Sequence, residues 1–115
     1  MTENKIIRSK YFIPTNEIAK AAAEGLALHE KFGVGGTEVG LARAKQLSNK
    51  ENVSQEDIIK IASYFARHEV DKTAPNFYNK DKPSKGYIAW QLWGGDAGQK
   101  WANDIKTELE SSRIK

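Results

Sequence analysis

Tyr87–Trp101, YIAWQLWGGDAGQKW, holds all three tryptophans of the chain, Trp90, Trp93 and Trp101, around the turn Gly94-Gly95-Asp96. Each buried aromatic withdraws on the order of 150–250 Å² from water, so three of them go far toward setting the core of a small domain. Glycine takes positive φ without strain, which lets one helix stop at Gly94-Gly95 and another start at once. Asp96 is placed to cap the second helix, with Gln99 three residues on, where a capping box wants it. The stretch reads as a helical hairpin folded about its own tryptophans. Trp90 or Trp93 is expected to touch Trp101 across the turn. Beyond it, Ala97, Trp101, Ile105 and Leu109 recur every four residues and form one apolar stripe.

Upstream lies the longest irregular segment, residues 72–86, KTAPNFYNKDKPSKG. Pro75, Pro83 and Gly86 discourage regular structure there, and Ser84 is placed to cap the tryptophan helix. Before it comes the best-written helix start in the chain. Ser54 caps, Asp57 stands at the third helical position, and Val53 and Ile58 flank them as a hydrophobic staple. Ile58, Ile61, Ala62 and Phe65 supply the buried stripe of that helix. Further upstream, Thr37 caps a helix rich in small residues. Pro14-Thr15-Asn16 opens another, with Thr15 or Asn16 as its cap and Gly33 as its C-terminal stop. Its Gly25 is expected to mark a close helix–helix contact. Residues 1–13 alternate poorly and are read as an extended arm rather than a strand, because no partner strand is evident.

These elements imply an all-α fold. The expectation is a compact bundle of four to five short helices in a single domain over residues 14–115, with the arm at 1–13. The chain of 115 residues is 39% hydrophobic, enough for one such core. No apolar run approaches the roughly 20 residues of a membrane span, and the N-terminus lacks a signal-peptide core. With no cysteine, thiolate metal sites and cysteine nucleophiles are excluded, and a cytoplasmic setting is expected. A net charge of +3 permits a polyanionic partner without demanding one.

Three blocks carry a family resemblance. The first is Gly35-Gly36-Thr37 with Val39-Gly40 and Ala42-Arg43-Ala44. The second is Tyr64-Phe65 with Arg67-His68-Glu69 and Asp71-Lys72. The third is Pro83-Ser84, Gly86 and Ile88-Ala89-Trp90 running into Leu92-Trp93-Gly94-Gly95-Asp96. Together they resemble a small domain that recurs in tailed-bacteriophage and prophage proteins, sometimes fused to a head-maturation protease. The resemblance implies a phage origin and a module used in several contexts, and it transfers no catalytic residue.

Candidate chemistry is sparse. Gly33-Val34-Gly35-Gly36-Thr37 precedes a helix as phosphate loops do, yet it lacks their Gly-Lys-Ser/Thr ending and reads first as a helix-to-helix turn. His68 and Glu69 are adjacent on a helix and point about 100° apart, so no metal and no cofactor are expected. Arg67, Glu69 and Asp71 read as salt-bridging residues that fix the helix end. The serines read as caps, and no nucleophile elbow is present. The segment 72–86 offers most. Lysines Lys72, Lys80, Lys82 and Lys85, with Arg67, are suited to phosphate, while Phe77 and Tyr78 either stack on unpaired bases or simply pin a solvated loop to the domain. The first expectation is therefore a phage-type module that binds nucleic acid through this basic face. The alternative is a protein–protein module acting in phage assembly or on a host factor, and a small hydrolase or nuclease ranks third.

Overall fold

The computed structural model describes residues 11–75, 77–79 and 81–114. Among them run β1 (Tyr11–Phe12), α1 (Asn16–Phe32), α2 (Glu38–Ser48), β2 (Val53–Ser54) and α3 (Gln55–His68). A 3₁₀ turn (Glu69–Thr73), α4 (Lys85–Leu92) and α5 (Gly95–Ile114) follow. The fold is all-α apart from one antiparallel pair of two-residue strands.

Four helix starts are capped by the side chains expected of them. Thr15, Thr37, Ser54 and Ser84 each accept a backbone N–H three residues on, from Ile18, Gly40, Asp57 and Tyr87. Each cap satisfies one of the donors that a helix leaves orphaned at its start. Val53 and Ile58, the staple around Ser54, are both fully buried. Gly33 ends α1 in the left-handed region, its N–H bonded to the His29 carbonyl.

The arm has a partner after all. Tyr11 pairs with Ser54 and Phe12 with Val53, and Phe12 and Pro14 are buried. An N-cap residue is already extended (Ser54 has φ −72° and ψ 164°), so the approach to a capped helix is also a ready strand. The arm reading overlooked that double use. Residues 1–10 of the arm lie outside the described residues.

Helix α1 packs chiefly on α2 and α4, and α5 chiefly on α3. Gly25 makes the closest approach. A methyl there would stand 2.5 Å from the Leu92 nitrogen, against α4 backbone that cannot yield. The turn between α4 and α5 places Gly94 at φ 114° and Gly95 at φ 66°, both open to glycine and strained for other residues.

Two expectations about the hairpin are corrected. Asp96 does not cap α5, whose first bond runs from the Gly98 N–H to the Gly94 carbonyl. The Asp96 carboxylate instead accepts the Trp90 indole N–H at 2.9 Å, and Gln99 donates to Glu69 rather than closing a capping box. Trp101 is only half-buried, and no ring contact joins it to Trp90 or Trp93 among the described residues. Steps of four residues drift by about 40° each around a helix of 3.6 residues per turn. The face of α5 turned inward is Gly98, Ala102, Ile105 and Leu109, spaced four, three and four. Gly98 lies close to the end of α4, where a methyl would stand 3.0 Å from the Trp93 carbonyl oxygen, with the Phe65 ring at ordinary contact distance. The tryptophans of α4 therefore pack against α3, where Trp90 meets Phe65 edge-on at 4.6 Å and Trp93 stacks on Tyr64 at 4.5 Å.

Candidate functional site

The basic segment divides once its residues are placed. Phe77 is 1% exposed and packs edge-on against Tyr78, Tyr87 and Trp90. It offers no face to a base, and its expected stacking role is withdrawn. Lys72 is committed as well. Its Nζ lies 3.1 Å from Asp96 Oδ1, 3.7 Å from Glu69 Oε1 and 4.6 Å from the Trp90 ring centre. Burial alone would lower the Lys72 pKa, but the hydrogen bond and charge of Asp96, with Tyr78 and Glu69, outweigh it and raise the value. Lys72 clamps the 3₁₀ turn to α5 and is removed from the binding face.

The remaining residues stay on the surface. Tyr78 is 58% exposed, its ring held edge-on by Phe77 at 4.8 Å and Tyr87 at 5.8 Å. Asn79 Oδ1 accepts the N–H groups of Asp81 and Lys82, which turns the chain toward α4. Lys82 and Lys85 are exposed, Lys85 as the first residue of α4. Lys80 lies outside the described residues. Arg67 is exposed at the end of α3 and, like Lys85, makes no hydrogen bond or ion pair to a described residue.

Arg67 leads to a feature that sequence reasoning missed, a cleft of about 320 Å³ between the start of α2, the end of α3 and one side of α4. From α2 and the loop before it come Gly35, Thr37, Val39 and Gly40. Helix α3 adds Tyr64, Arg67 and His68, and α4 adds Ala89, Leu92 and Trp93. Every lining residue belongs to one of the three blocks quoted above, which lie far apart in sequence. Among the described residues of the lining, Arg67 and His68 are the ionisable groups besides Tyr64, and none is a carboxylate.

One wall of the cleft is a column of rings. Tyr64 stacks on Trp93 at 4.5 Å with planes 4° apart, and His68 stacks on Tyr64 at 4.4 Å. Arg43 lies over Trp93 at 5.3 Å and is fixed by Asp57 at 3.2 Å. His68 Nδ1 is 3.1 Å from Asp71 Oδ2, and Glu69 pairs with Lys72 and Gln99. The helix end is thus tied down by Glu69 and Asp71, as expected, but Arg67 is left out. The glycine loop is docked onto α4. Gly35 has φ 86°, and a methyl there would meet Ile88 at 2.7 Å and the Lys85 carbonyl at 2.9 Å. His29 Nδ1, 3.0 Å from the Val34 oxygen, holds its other side.

The column leaves polar atoms unused. The Tyr64 hydroxyl and Arg43 Nε are buried without a hydrogen-bond partner. Burial pushes the Tyr64 pKa up, Asp71 adds to the rise, and Arg67 opposes it. Trp93 Nε1 sits beside Gly40, 3.4 Å from where a methyl would stand, with no hydrogen bond to a described residue. Among the described residues no cluster of three histidines or carboxylates is placed to hold a metal. No described helix is long and apolar enough to cross a membrane.

Comparison with family models, curated proteins and solved structures finds no match to this chain.

Proposed function

We propose that this chain is a small phage-type binding module that engages nucleic acid in the host cytoplasm. The contacts come from the side bearing Arg67, Tyr78, Lys82 and Lys85. One observation carries the reading. Arg67 and Lys85 are exposed cations without an ion-pair partner among the described residues, and Arg67 lines a cleft to which no described residue contributes a carboxylate. Arg43 and Lys72, by contrast, are locked in place by carboxylates. A held aromatic such as Tyr78 adds a surface for an unpaired base. A protein partner is the second reading, favoured by Val39 and Val70, apolar side chains that are 63% and 67% exposed.

The test is titration of labelled single- and double-stranded oligonucleotides at two salt concentrations, with wild type and a Lys82→Glu/Lys85→Glu double variant. Binding at low salt that weakens steeply with added salt is expected. For every phosphate that the variant no longer neutralises, the salt slope should fall by about one. Wild-type binding by the variant, or a partner retained at high salt, would favour the second reading.

A further inference from the structure

We infer that Tyr78 makes this surface selective for single-stranded over double-stranded nucleic acid. The inference rests on the nucleic-acid reading and deepens it, by naming the form of nucleic acid and the residue that chooses it.

Phe77 anchors the loop, 1% exposed and edge-on to Trp90 at 5.8 Å and to Tyr87 at 5.3 Å. Tyr78 follows it on the outside. Its ring meets Phe77 at 4.8 Å with planes 87° apart, and Tyr87 at 5.8 Å with planes 64° apart. Both are edge-to-face arrangements of the kind aromatic pairs favour, and Tyr78 is nevertheless 58% exposed. Tyr11 is as exposed but makes no ring contact with a described residue. An exposed side chain that is ordered only on binding loses rotamer freedom at that moment. In Tyr78 two buried rings already restrict that freedom in the free protein.

Stacking on a fixed ring tolerates any sequence, because every base has a π-face. In a duplex those faces are covered by neighbouring base pairs, and uncovering one costs unstacking energy. The ring therefore finds a partner readily only in an unpaired strand. The lysines have no such preference, since both forms present phosphates. Asn79 Oδ1 accepts the N–H groups of Asp81 and Lys82, which holds exposed Lys82 close to Tyr78 in space as well as in sequence. Asp81, exposed in the same turn, weakens its attraction for phosphate. The ring is left as the contact that discriminates.

The experiment is fluorescence anisotropy of a labelled oligonucleotide, alone and annealed to its complement, titrated with the full chain. Wild type should bind the single strand more tightly than the duplex. Tyr78→Ala should weaken the single strand by about tenfold, which stacking of one base can supply, and leave the duplex unchanged. Tyr78→Phe, which keeps the ring, should bind as wild type does, and so should Tyr11→Ala. The Lys82→Glu/Lys85→Glu variant should weaken both forms. Melting temperature checks the fold of each variant, and Tyr78→Leu, apolar but without a ring, repeats the comparison if Tyr78→Ala is less stable. Single-strand binding indifferent to Tyr78→Ala, or an equal loss on the duplex, would overturn the selectivity while the basic face stands. A loss in Tyr78→Phe or Tyr11→Ala as large as in Tyr78→Ala would overturn stacking on Tyr78 as its cause. Binding of neither form by wild type would overturn the inference together with the reading it rests on.

Discussion

Trp90 in the last turn of α4 and Trp93 at its C-terminal cap stand three residues apart, and their surroundings differ in one respect. Trp90 is fully buried among Phe65, Phe77 and Tyr64, its indole N–H bonded to Asp96 and its ring covered by Lys72. Nearby, Tyr87 donates to Glu24, as does Gln91. Trp93 is packed almost as tightly, yet beside it the Tyr64 hydroxyl and Arg43 Nε are buried without a hydrogen-bond partner, and its own indole N–H has none among the described residues. Buried polar groups are rarely left unpaired. The closed side around Trp90 is what a structural core looks like, and the side around Trp93 keeps hydrogen-bonding capacity in reserve beside a cleft.

The largest effect should separate the buried tryptophan from the peripheral one. Trp90→Ala should cost roughly 3–5 kcal/mol, whereas Trp101→Ala, at a half-buried position, should cost about 1–2 kcal/mol in the same denaturant titration. Equal losses would mean that the hairpin closes on itself and that the packing against α3 is secondary. Next in size is a pair of polar deletions. Asp96→Ala strands the Trp90 N–H and leaves Lys72 only its longer contact with Glu69, and should cost about 1–3 kcal/mol. Tyr64→Phe removes an orphaned hydroxyl and should leave stability unchanged or slightly raised. A clear loss in Tyr64→Phe would show that the hydroxyl is satisfied and would erase the contrast between the two sides.

The smallest effect is in alkali. Burial, with the charge and hydrogen bond of Glu24, pushes the Tyr87 pKa up to about 12 from 10.0. Folding therefore favours the neutral phenol. That contribution is whole below pH 10.0 and is lost as pH rises through about 12. Lys72, raised chiefly through Asp96, shifts stability in the same direction. Melting temperature followed from about pH 9 to about pH 12 should fall, and less steeply in Tyr87→Phe. A parallel fall in both proteins would assign the alkaline loss elsewhere.

Local signals in the sequence were legible because they act over three or four residues. The caps at Thr37, Ser54 and Ser84, the stop at Gly33 and the close contact at Gly25 all follow from single-residue chemistry. What failed was non-local. Asp96 has the form of a cap, but it lies within reach of Trp90 and Lys72, two stronger donors that only the folded chain brings near. Phe77 was open to two readings, stacking on a base or pinning the loop to the domain, and only the folded chain decides for the second by packing its ring beside Trp90. The cleft was invisible for the same reason. Its walls come from three helices, and its clearest sequence trace was the set of three blocks that carried the resemblance.

The difference between the two tryptophans can be read directly from their indole N–H resonances in a proton–nitrogen correlation spectrum, with a single-stranded oligonucleotide titrated into the labelled chain. The account predicts that the Trp93 signal moves progressively with ligand while the Trp90 signal, held by Asp96, stays in place. A shift of Trp90 with Trp93 unmoved, or saturation with no indole shift at all, would contradict it.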